Sequence, residues 1–281
     1  MSRRISLALT SVLVLLSAAA ASAQGLYWES KVTGGPGALA ETSNKSYAVP
    51  GLFKHANEGA QGYVMIMRMK GETVAGLDPK KKAYWEMTFS DMEAEMKKME
   101  NMMNERFAQL EKQLAGLPPE QKKAAEKQFE AQKAMFRKGA GKVEVTNTGE
   151  KKTLLGYSAT KFTVKEDGKD VGIIWASKDV KGFKPLEKDL SDMMKRVSSF
   201  NPSGSKAMSE AYLKIEGFPL EMDVGGLKTT VTKVEERAIP PAEFEVPKDY
   251  TKGESPFAKM GGPPGSAPGQ QKKAEKAAKP D

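Results

Sequence analysis

The sequence contains no cysteine and only one histidine, His55, among its 281 residues. The lack of Cys excludes disulfides, thiolate nucleophiles and iron–sulfur clusters, and a single imidazole is too few for the zinc sites that proteins build from His and Cys. A catalytic triad would also have to use His55. Because these shortages exclude much of the enzyme repertoire, we expect a protein that is not an enzyme and that uses no cofactor or metal ion.

Long apolar runs are equally scarce, and the one present lies at the start of the chain. Two Arg residues precede an apolar run over residues 5–16, and a small-x-small motif follows at residues 21–23. This order is that of a bacterial signal peptide, whereas a retained membrane anchor would need about 20 apolar residues. We therefore predict a signal peptide over residues 1–23, a mature chain from Gln24 without a transmembrane segment, and a periplasmic location.

The excess of positive charge, +8 overall, is concentrated outside the body of the chain. Residues 251–281 carry six Lys against three acidic residues and contain almost nothing to bury. Such a composition predicts a disordered, mildly cationic tail. The charge excess that remains on residues 24–250 is small, so we expect no nucleic acid as a partner.

Alternation of apolar and polar residues with a period of two indicates half-buried strands in two regions. The first region, residues 26–89, has turns at Gly71 and near Pro79 and predicts an antiparallel meander. The second region follows residue 141 and includes a predicted hairpin at Asp167-Gly168. Further strands are predicted over residues 211–215, 220–224 and 227–234.

Helical periodicity separates the two strand regions and returns once in the second. Ser90 and Glu93 form a capping-box pattern, and apolar residues then recur every three or four positions until Gly116. A second helix is predicted after Pro118-Pro119, which gives a helical hairpin inserted over residues 90–138. A further amphipathic helix is predicted over residues 188–200, with Leu190 and Met193 among its inward-facing residues.

Three stretches carry a likeness to a known superfamily: Tyr63-Val-Met-Ile-Met-Arg-Met-Lys-Gly71, Gly149-Glu-Lys-Lys-Thr-Leu-Leu-Gly-Tyr157 and Gly217-Phe-Pro-Leu-Glu-Met222. Their order resembles the LolA/LolB-like lipoprotein carriers of bacterial envelopes, and within them a secreted family classed as a domain of unknown function. The resemblance implies an α+β fold over residues 24–250. It would be a strongly curved antiparallel sheet, a half-open barrel, with a packed helix and an apolar cavity.

The same resemblance implies a function, since the cavity of the characterised carriers shelters acyl chains of lipoproteins or other hydrophobic ligands. We therefore expect binding or shielding of a lipid or a lipidated protein. The candidate pocket residues are the large apolar side chains on strand faces, although an ordinary sheet core explains them as well: Trp28, Tyr63, Met65, Met67, Met69, Trp85, Met87, Phe89, Phe162 and Trp175.

Two other functions remain open from the residues. The hairpin and the tail could form an interaction module for an envelope protein partner or an anionic surface. The 16 Met residues raise the alternative of a Cu(I) site, because thioethers are soft ligands, although their spacing fits plain burial. His55 has no recognisable acidic or nucleophilic neighbour in the sequence, and we expect it in a solvated loop.

Overall fold

A computed structural model describes residues 23–34, 39–59, 62–118, 141–199 and 206–256, together with residues 122–123, 125–127, 129–130 and 133. The predicted signal peptide, apart from its last residue Ala23, lies outside the described residues. The part of the predicted tail after residue 256 also lies outside them.

Twelve strands form one sheet in the described part of the chain. In chain order they are β1 (Ala23–Gly34), β2 (Leu39–Val49), β3 (Leu52–Asn57), β4 (Tyr63–Arg68), β5 (Thr73–Asp78), β6 (Ala83–Thr88), β7 (Val143–Leu154), β8 (Tyr157–Glu166), β9 (Lys169–Ser177), β10 (Phe218–Val224), β11 (Leu227–Ile239) and β12 (Thr251–Lys252). The spatial order is β12-β6-β5-β4-β3-β2-β1-β11-β10-β9-β8-β7, so the sheet is open. All pairs are antiparallel except β12 with β6.

The helices are α1 (Phe89–Ala115), α2 (Glu187–Ser199) and α3 (Lys206–Lys214), and a 3-10 turn over Lys181–Leu186 leads into α2. The described residues between 122 and 133 are also helical. Phe129 among them packs edge-on against Phe107 of α1, with ring centroids 5.8 Å apart, and Lys133 pairs with Glu111. These contacts are those expected of the predicted helical hairpin.

The predicted Asp167-Gly168 hairpin is confirmed. Both residues have positive φ, 50° and 76°, as a type I′ turn requires. Leu155 and Gly156 form an equivalent turn between β7 and β8 that the sequence reading missed, with φ of 51° and 81°. This turn ends β7 and begins β8, and the two strands pair with each other from Leu154 and Tyr157 onward.

Three local predictions are wrong. Residues 211–215 belong largely to α3 rather than to a strand. The cap of α1 is Thr88 rather than Ser90, because the Thr88 hydroxyl accepts a hydrogen bond from the Asp91 backbone N–H at 3.0 Å. The predicted disorder from residue 251 does not apply to the first tail residues, since Gly253 donates its backbone N–H to Tyr84 at 2.7 Å.

The interior consists of three clusters of buried apolar residues. The first cluster spans most of the sheet and includes the 3-10 turn and α2. Its members are Leu26, Ala48, Phe53, Met67, Val74, Phe89, Met92, Ala159, Trp175, Val180, Phe183, Leu186, Leu190, Met193, Phe218, Leu220 and Val231.

The two smaller clusters pack against opposite ends of the sheet. The second cluster joins β7–β10 to α3 and contains Val143, Phe162, Val164, Ile174, Ala176, Ala211 and Val224. The third cluster joins β2–β5 to the chain after β11 and contains Val49, Ile66, Ala75, Leu77, Ile239 and Phe244. Each strand can serve two clusters because successive side chains point to opposite faces of a sheet.

Irregularities interrupt the pairing of β1 with β11, of β1 with β2 and of β9 with β10. Such bulges bend a strand and increase its twist. The open antiparallel sheet with its few helices agrees with the predicted α+β class.

Candidate functional site

A half-open groove of about 340 Å³ lies between α2 and one face of the sheet. Its walls come from β1–β4, β10 and β11, and both α2 and α3 contribute to it. The groove is lined with apolar side chains next to the first cluster and with polar side chains farther along the same strands. A concave, mostly apolar lining with a few polar groups is typical of sites that bind organic ligands.

Aromatic and aliphatic side chains form the apolar part of the groove. The Trp28 ring lies 5.9 Å from Phe53 and 5.4 Å from Phe218, measured between ring centroids. Residues of α2 face these rings across the groove, because Leu190, Met193 and Met194 recur at helical spacing on one side of that helix. Large rings and flexible thioethers together make an adaptable apolar surface.

Uncharged polar side chains form much of the rest of the groove. They are Ser30, Thr42, Asn44, Ser46, His55, Asn57 and Thr229. Asn57 donates its side-chain amide N–H to the Asn44 carbonyl oxygen at 2.8 Å, and its own carbonyl accepts from the backbone N–H of Gly59 at 3.0 Å. Asn44 is only 4 % exposed. This hydrogen bond therefore satisfies polar groups that would otherwise be buried without a partner and would destabilise the fold.

Strand register explains how the groove changes from apolar to polar. Leu26, Ala48, Phe53 and Met67 are cross-strand neighbours in one row. Two residues farther along each strand, the row is Trp28, Ser46, His55 and Met65, and the next row is Ser30, Asn44, Asn57 and Tyr63. Because two residues advance about 7 Å along a strand, the polarity of this face changes within about 14 Å.

His55 lies in β3 and lines the groove, so the expectation of a solvated loop residue is wrong. Its Nδ1 is 3.0 Å from the Ser46 hydroxyl oxygen, and its ring stacks on Phe53 with centroids 6.5 Å apart. Burial lowers the pKa of His55 below its ordinary value of 6.5. The imidazole is therefore neutral at neutral pH and adds hydrogen-bonding capacity to the groove rather than charge.

Glu221 is the one formally charged residue among the described residues that line the groove. Its carboxylate pairs with the Lys152 ammonium at 3.1 Å, and that ammonium lies 4.2 Å from the centroid of the Trp175 ring. At the α3 side of the groove, burial raises the pKa of Tyr212 far above its ordinary value. The groove therefore presents a neutral tyrosine and one compensated carboxylate.

Apart from Phe162, the candidate pocket residues fall into three groups. Trp28 and Tyr63 line the groove, Tyr63 at its margin with 46 % exposure. Three others are members of the first cluster: Met67, Phe89 and Trp175. The partly buried candidates that pack against this cluster are Met65, Met69, Trp85 and Met87.

Phe162 was predicted to share this interior and does not, because it belongs to the second cluster. On the paired strand β9, successive residues alternate between clusters: Trp175 packs in the first and Ile174 in the second. The sequence reading could detect an apolar residue at a strand position. It could not assign that residue to one cluster, because the neighbouring strand β9 carries apolar residues on both faces.

Sequence reasoning also missed most of the groove. The sequence did not predict that the row of Ser30, Asn44 and Asn57, here called the polar row, lines a groove, because Ser and Asn are more typical of loops than of strands. One signal was available, since Thr42, Asn44 and Ser46 recur with period two, as do Phe53, His55 and Asn57. A small polar residue at every second position is what a strand with a wet, inward face requires.

A second, charged cleft of about 500 Å³ lies beside α2 near the β2–β3 turn. Asp189 accepts the backbone N–H of Gly51 at 2.6 Å, and Asp192 pairs with Lys188 at 2.6 Å. The hydrogen bond from Gly51 fixes the start of α2 against the sheet. We assign this cleft a structural role, because its carboxylates pair with neighbouring protein groups.

The described ranges contain no set of three or more His, Asp or Glu residues placed to hold a metal ion. In the same ranges, no helix combines the length and apolar character needed to cross a membrane. The Met residues of β4 lie in or against the first cluster, as burial in a core would place them.

Comparison with curated proteins gives no match for this sequence. Residues 66–250, which are more than half of the chain and contain most of the sheet and all of α2, match a family described as "Domain of unknown function (DUF4412)". The protein therefore belongs to the DUF4412 family.

Proposed function

We propose that the protein is a non-catalytic periplasmic binding protein whose groove holds the apolar chain of a lipid or of a lipidated protein. The observation that carries the proposal is the half-open groove between α2 and the sheet, with Trp28, Phe53 and Phe218 on one side and Met193 and Met194 on the other. Ligand pockets are concave, mostly apolar and furnished with a few polar groups, and this groove has that composition.

The energetics of the groove favour an apolar occupant. Covering apolar surface contributes about 25 cal/mol for each Å² removed from water. Several of the lining side chains, among them Trp28 and Met194, are only partly buried by the protein itself. A chain that enters the groove would cover them, and flexible Met side chains would adapt to its shape.

The resemblance to the LolA/LolB-like carriers supports the same proposal. In that architecture a curved open sheet covers an apolar cavity with a helix packed against it. Here α2 packs in the first cluster against an open sheet of twelve strands. The likeness extends the proposal to lipoproteins as the source of the chain and to transport or shielding as its purpose.

The proposal is tested by titrating the protein with a fluorescent fatty-acid methyl ester, which is an uncharged acyl-chain analogue. Thr229→Trp adds a large ring to a residue that lines the groove, and we expect it to weaken binding by about tenfold or more, which corresponds to at least about 1.4 kcal/mol. Lys228→Trp is the matched control, because Lys228 is exposed, is the preceding residue of β11 and does not line the groove.

Circular dichroism would establish that both variants fold. The proposal fails if the unmodified protein does not bind the analogue, or if the two Trp variants weaken binding equally.

A second candidate function, a docking module for an envelope protein, is favoured by the length of α1. Only its first turns pack on the sheet, through Phe89, Met92 and Met96. Phe107, farther along the same helix, packs against Phe129 instead. Pull-down experiments that compare the full chain with one lacking residues 90–138 separate the functions, since a docking module loses its partner and a carrier retains its ligand.

A further inference from the structure

The lining of the groove carries almost no charge. Among the described residues that line it there is no Lys or Arg, and Glu221 is the one carboxylate. The Glu221 carboxylate is already paired with Lys152 at 3.1 Å. His55 adds no positive charge at neutral pH, because burial lowers its pKa.

This balance disfavours a ligand with a charged head. Moving an ionised group out of water is far more costly than moving a hydroxyl or an amide that finds a hydrogen-bond partner. An anionic head in the groove would lose its hydration without meeting a cationic lining residue, and it would lie near Glu221. A cationic head would compete with Lys152 for the same carboxylate.

The polar row of the groove suits an uncharged head instead. Ser30, Asn44 and Asn57 offer hydroxyl and primary amide groups, which both donate and accept hydrogen bonds. One amide N–H of Asn57 is used by Asn44, and a primary amide has a second N–H to offer. Hydroxyl, ester and amide groups of a ligand can pair with such side chains without transferring charge.

The volume of the groove favours a ligand with one chain. At about 30 Å³ for each non-hydrogen atom, close to the share of a water molecule in the liquid, a groove of about 340 Å³ accepts roughly a dozen atoms. That is enough for part of one alkyl chain and a small head. Two chains side by side would need about twice this volume, so one of them would lie largely outside the half-open groove.

We propose that the groove selects a single-chain amphiphile with an uncharged, hydrogen-bonding head, such as a monoacylglycerol or a fatty amide. The chain lies between Trp28, Phe218 and Met193, and the head meets the row of Ser30, Asn44 and Asn57. This inference rests on the proposed function, because it names the class of ligand for the same groove.

The inference is tested by competition against the bound fluorescent methyl ester at about pH 7.5, where octanoate in water is ionised. The competitors share one chain and differ in the head: octanoylglycerol, octanoate, octyl phosphate and octyltrimethylammonium. We expect octanoylglycerol to compete about tenfold or more better than each charged compound, because only its head is transferred without desolvating a charge.

Two variants give the converse test. Thr42→Lys places an ammonium among the groove-lining residues of β2, and we expect it to improve octanoate binding by about tenfold or more relative to octanoylglycerol. Ser43→Lys is the matched control, because Ser43 is the next residue of β2, is exposed and does not line the groove. Thr229→Lys repeats the test from β11 in case Thr42→Lys does not fold.

The outcomes distinguish the inference from the function on which it rests. If any charged competitor equals or exceeds octanoylglycerol with the unmodified protein, the preference for an uncharged head is overturned while chain binding stands. If Thr42→Lys and Ser43→Lys change octanoate binding equally, the head does not lie in the polar row. If neither the analogue nor any competitor binds, the proposed function itself fails.

Discussion

His55 lies in an environment unlike that of an exposed histidine. It lies between the rings of Phe53 and Tyr63, with centroid distances of 6.5 and 6.1 Å, and beside the Ser46 hydroxyl. Because burial disfavours the imidazolium, the folded protein binds a proton at His55 less readily than the unfolded chain does. Protonation therefore favours the unfolded chain.

A pH dependence follows from this difference. The pKa of His55 in the folded protein lies below its ordinary value of 6.5. The contribution of His55 to the free energy of unfolding is therefore fully present above about pH 7 and decreases as the pH falls below about 6.5. Urea unfolding at several pH values between 5 and 8 measures the effect. We expect the His55→Asn variant to show a flatter profile in this range.

A change in stability between pH 5 and 8 can be assigned to His55, because the chain has one histidine. The carboxyl groups with lowered pKa values, such as Glu144 and Asp192, have ordinary values of 4.5 and 3.8 and lose their stabilising contribution below those values. An unchanged pH profile in the His55→Asn protein would contradict the argument.

At the scale of elements, the start of α1 depends on the Thr88 side chain. Its hydroxyl accepts from the Asp91 backbone N–H at 3.0 Å and donates to the Asp91 carboxylate at 2.7 Å. The carboxylate also lies in the first turn, where negative charge interacts favourably with the helix dipole. The first residues of the helix, Phe89 and Met92, are members of the first cluster, so this cap is coupled to the core.

We expect Thr88→Ala to lower the free energy of unfolding by about 1 kcal/mol, because it removes the side-chain partner of an N-terminal backbone N–H. Ser90→Ala is the matched control and should change stability by less than about 0.5 kcal/mol, since Ser90 is exposed and follows the cap. Thr88→Ser should retain most of the stability. Chemical denaturation measures all three, and a larger loss for Ser90→Ala than for Thr88→Ala would show that the cap is misassigned.

The elements also show what sequence patterns can and cannot determine here. The strands β4 to β6 and helix α2 follow from the spacing of apolar residues, because each buries a continuous apolar face. In contrast, β2 and β3 carry Asn44, His55 and Asn57 toward the groove, and this polar inward face hides their strand character from any pattern based on hydrophobicity. The site was hard to predict for the same physical reason that it suits a polar head.

The helix α3 was mistaken for a strand for a different reason. Ala211 and Ile215 are four residues apart and also an even number apart, so they fit helical and strand spacing equally. The element has nine residues, which is too short for periodicity to decide. Ala211 of α3 packs in the second cluster against residues that are distant in sequence. A local sequence pattern does not contain this contact.

At the scale of the whole molecule, the groove lies apart from the segment after β11, which packs against the opposite face of the sheet. After β11, Phe244 packs in the third cluster with Ile66 and Leu77, and its backbone carbonyl accepts from the Arg68 guanidinium at 3.0 Å. None of the described groove-lining residues belongs to the third cluster. Stability and ligand binding should therefore respond differently to substitutions in the two places.

We expect Phe244→Ala to lower the free energy of unfolding by about 3–5 kcal/mol, because it removes a fully buried ring and leaves a cavity. The folded fraction should bind the fluorescent methyl ester with the affinity of the unmodified protein. Met193→Ala, in contrast, truncates a residue shared by the first cluster and the groove and should weaken both stability and binding. Urea denaturation and fluorescence titration under native conditions measure the two quantities, and weaker binding by folded Phe244→Ala would show that the third cluster and the groove act as one unit.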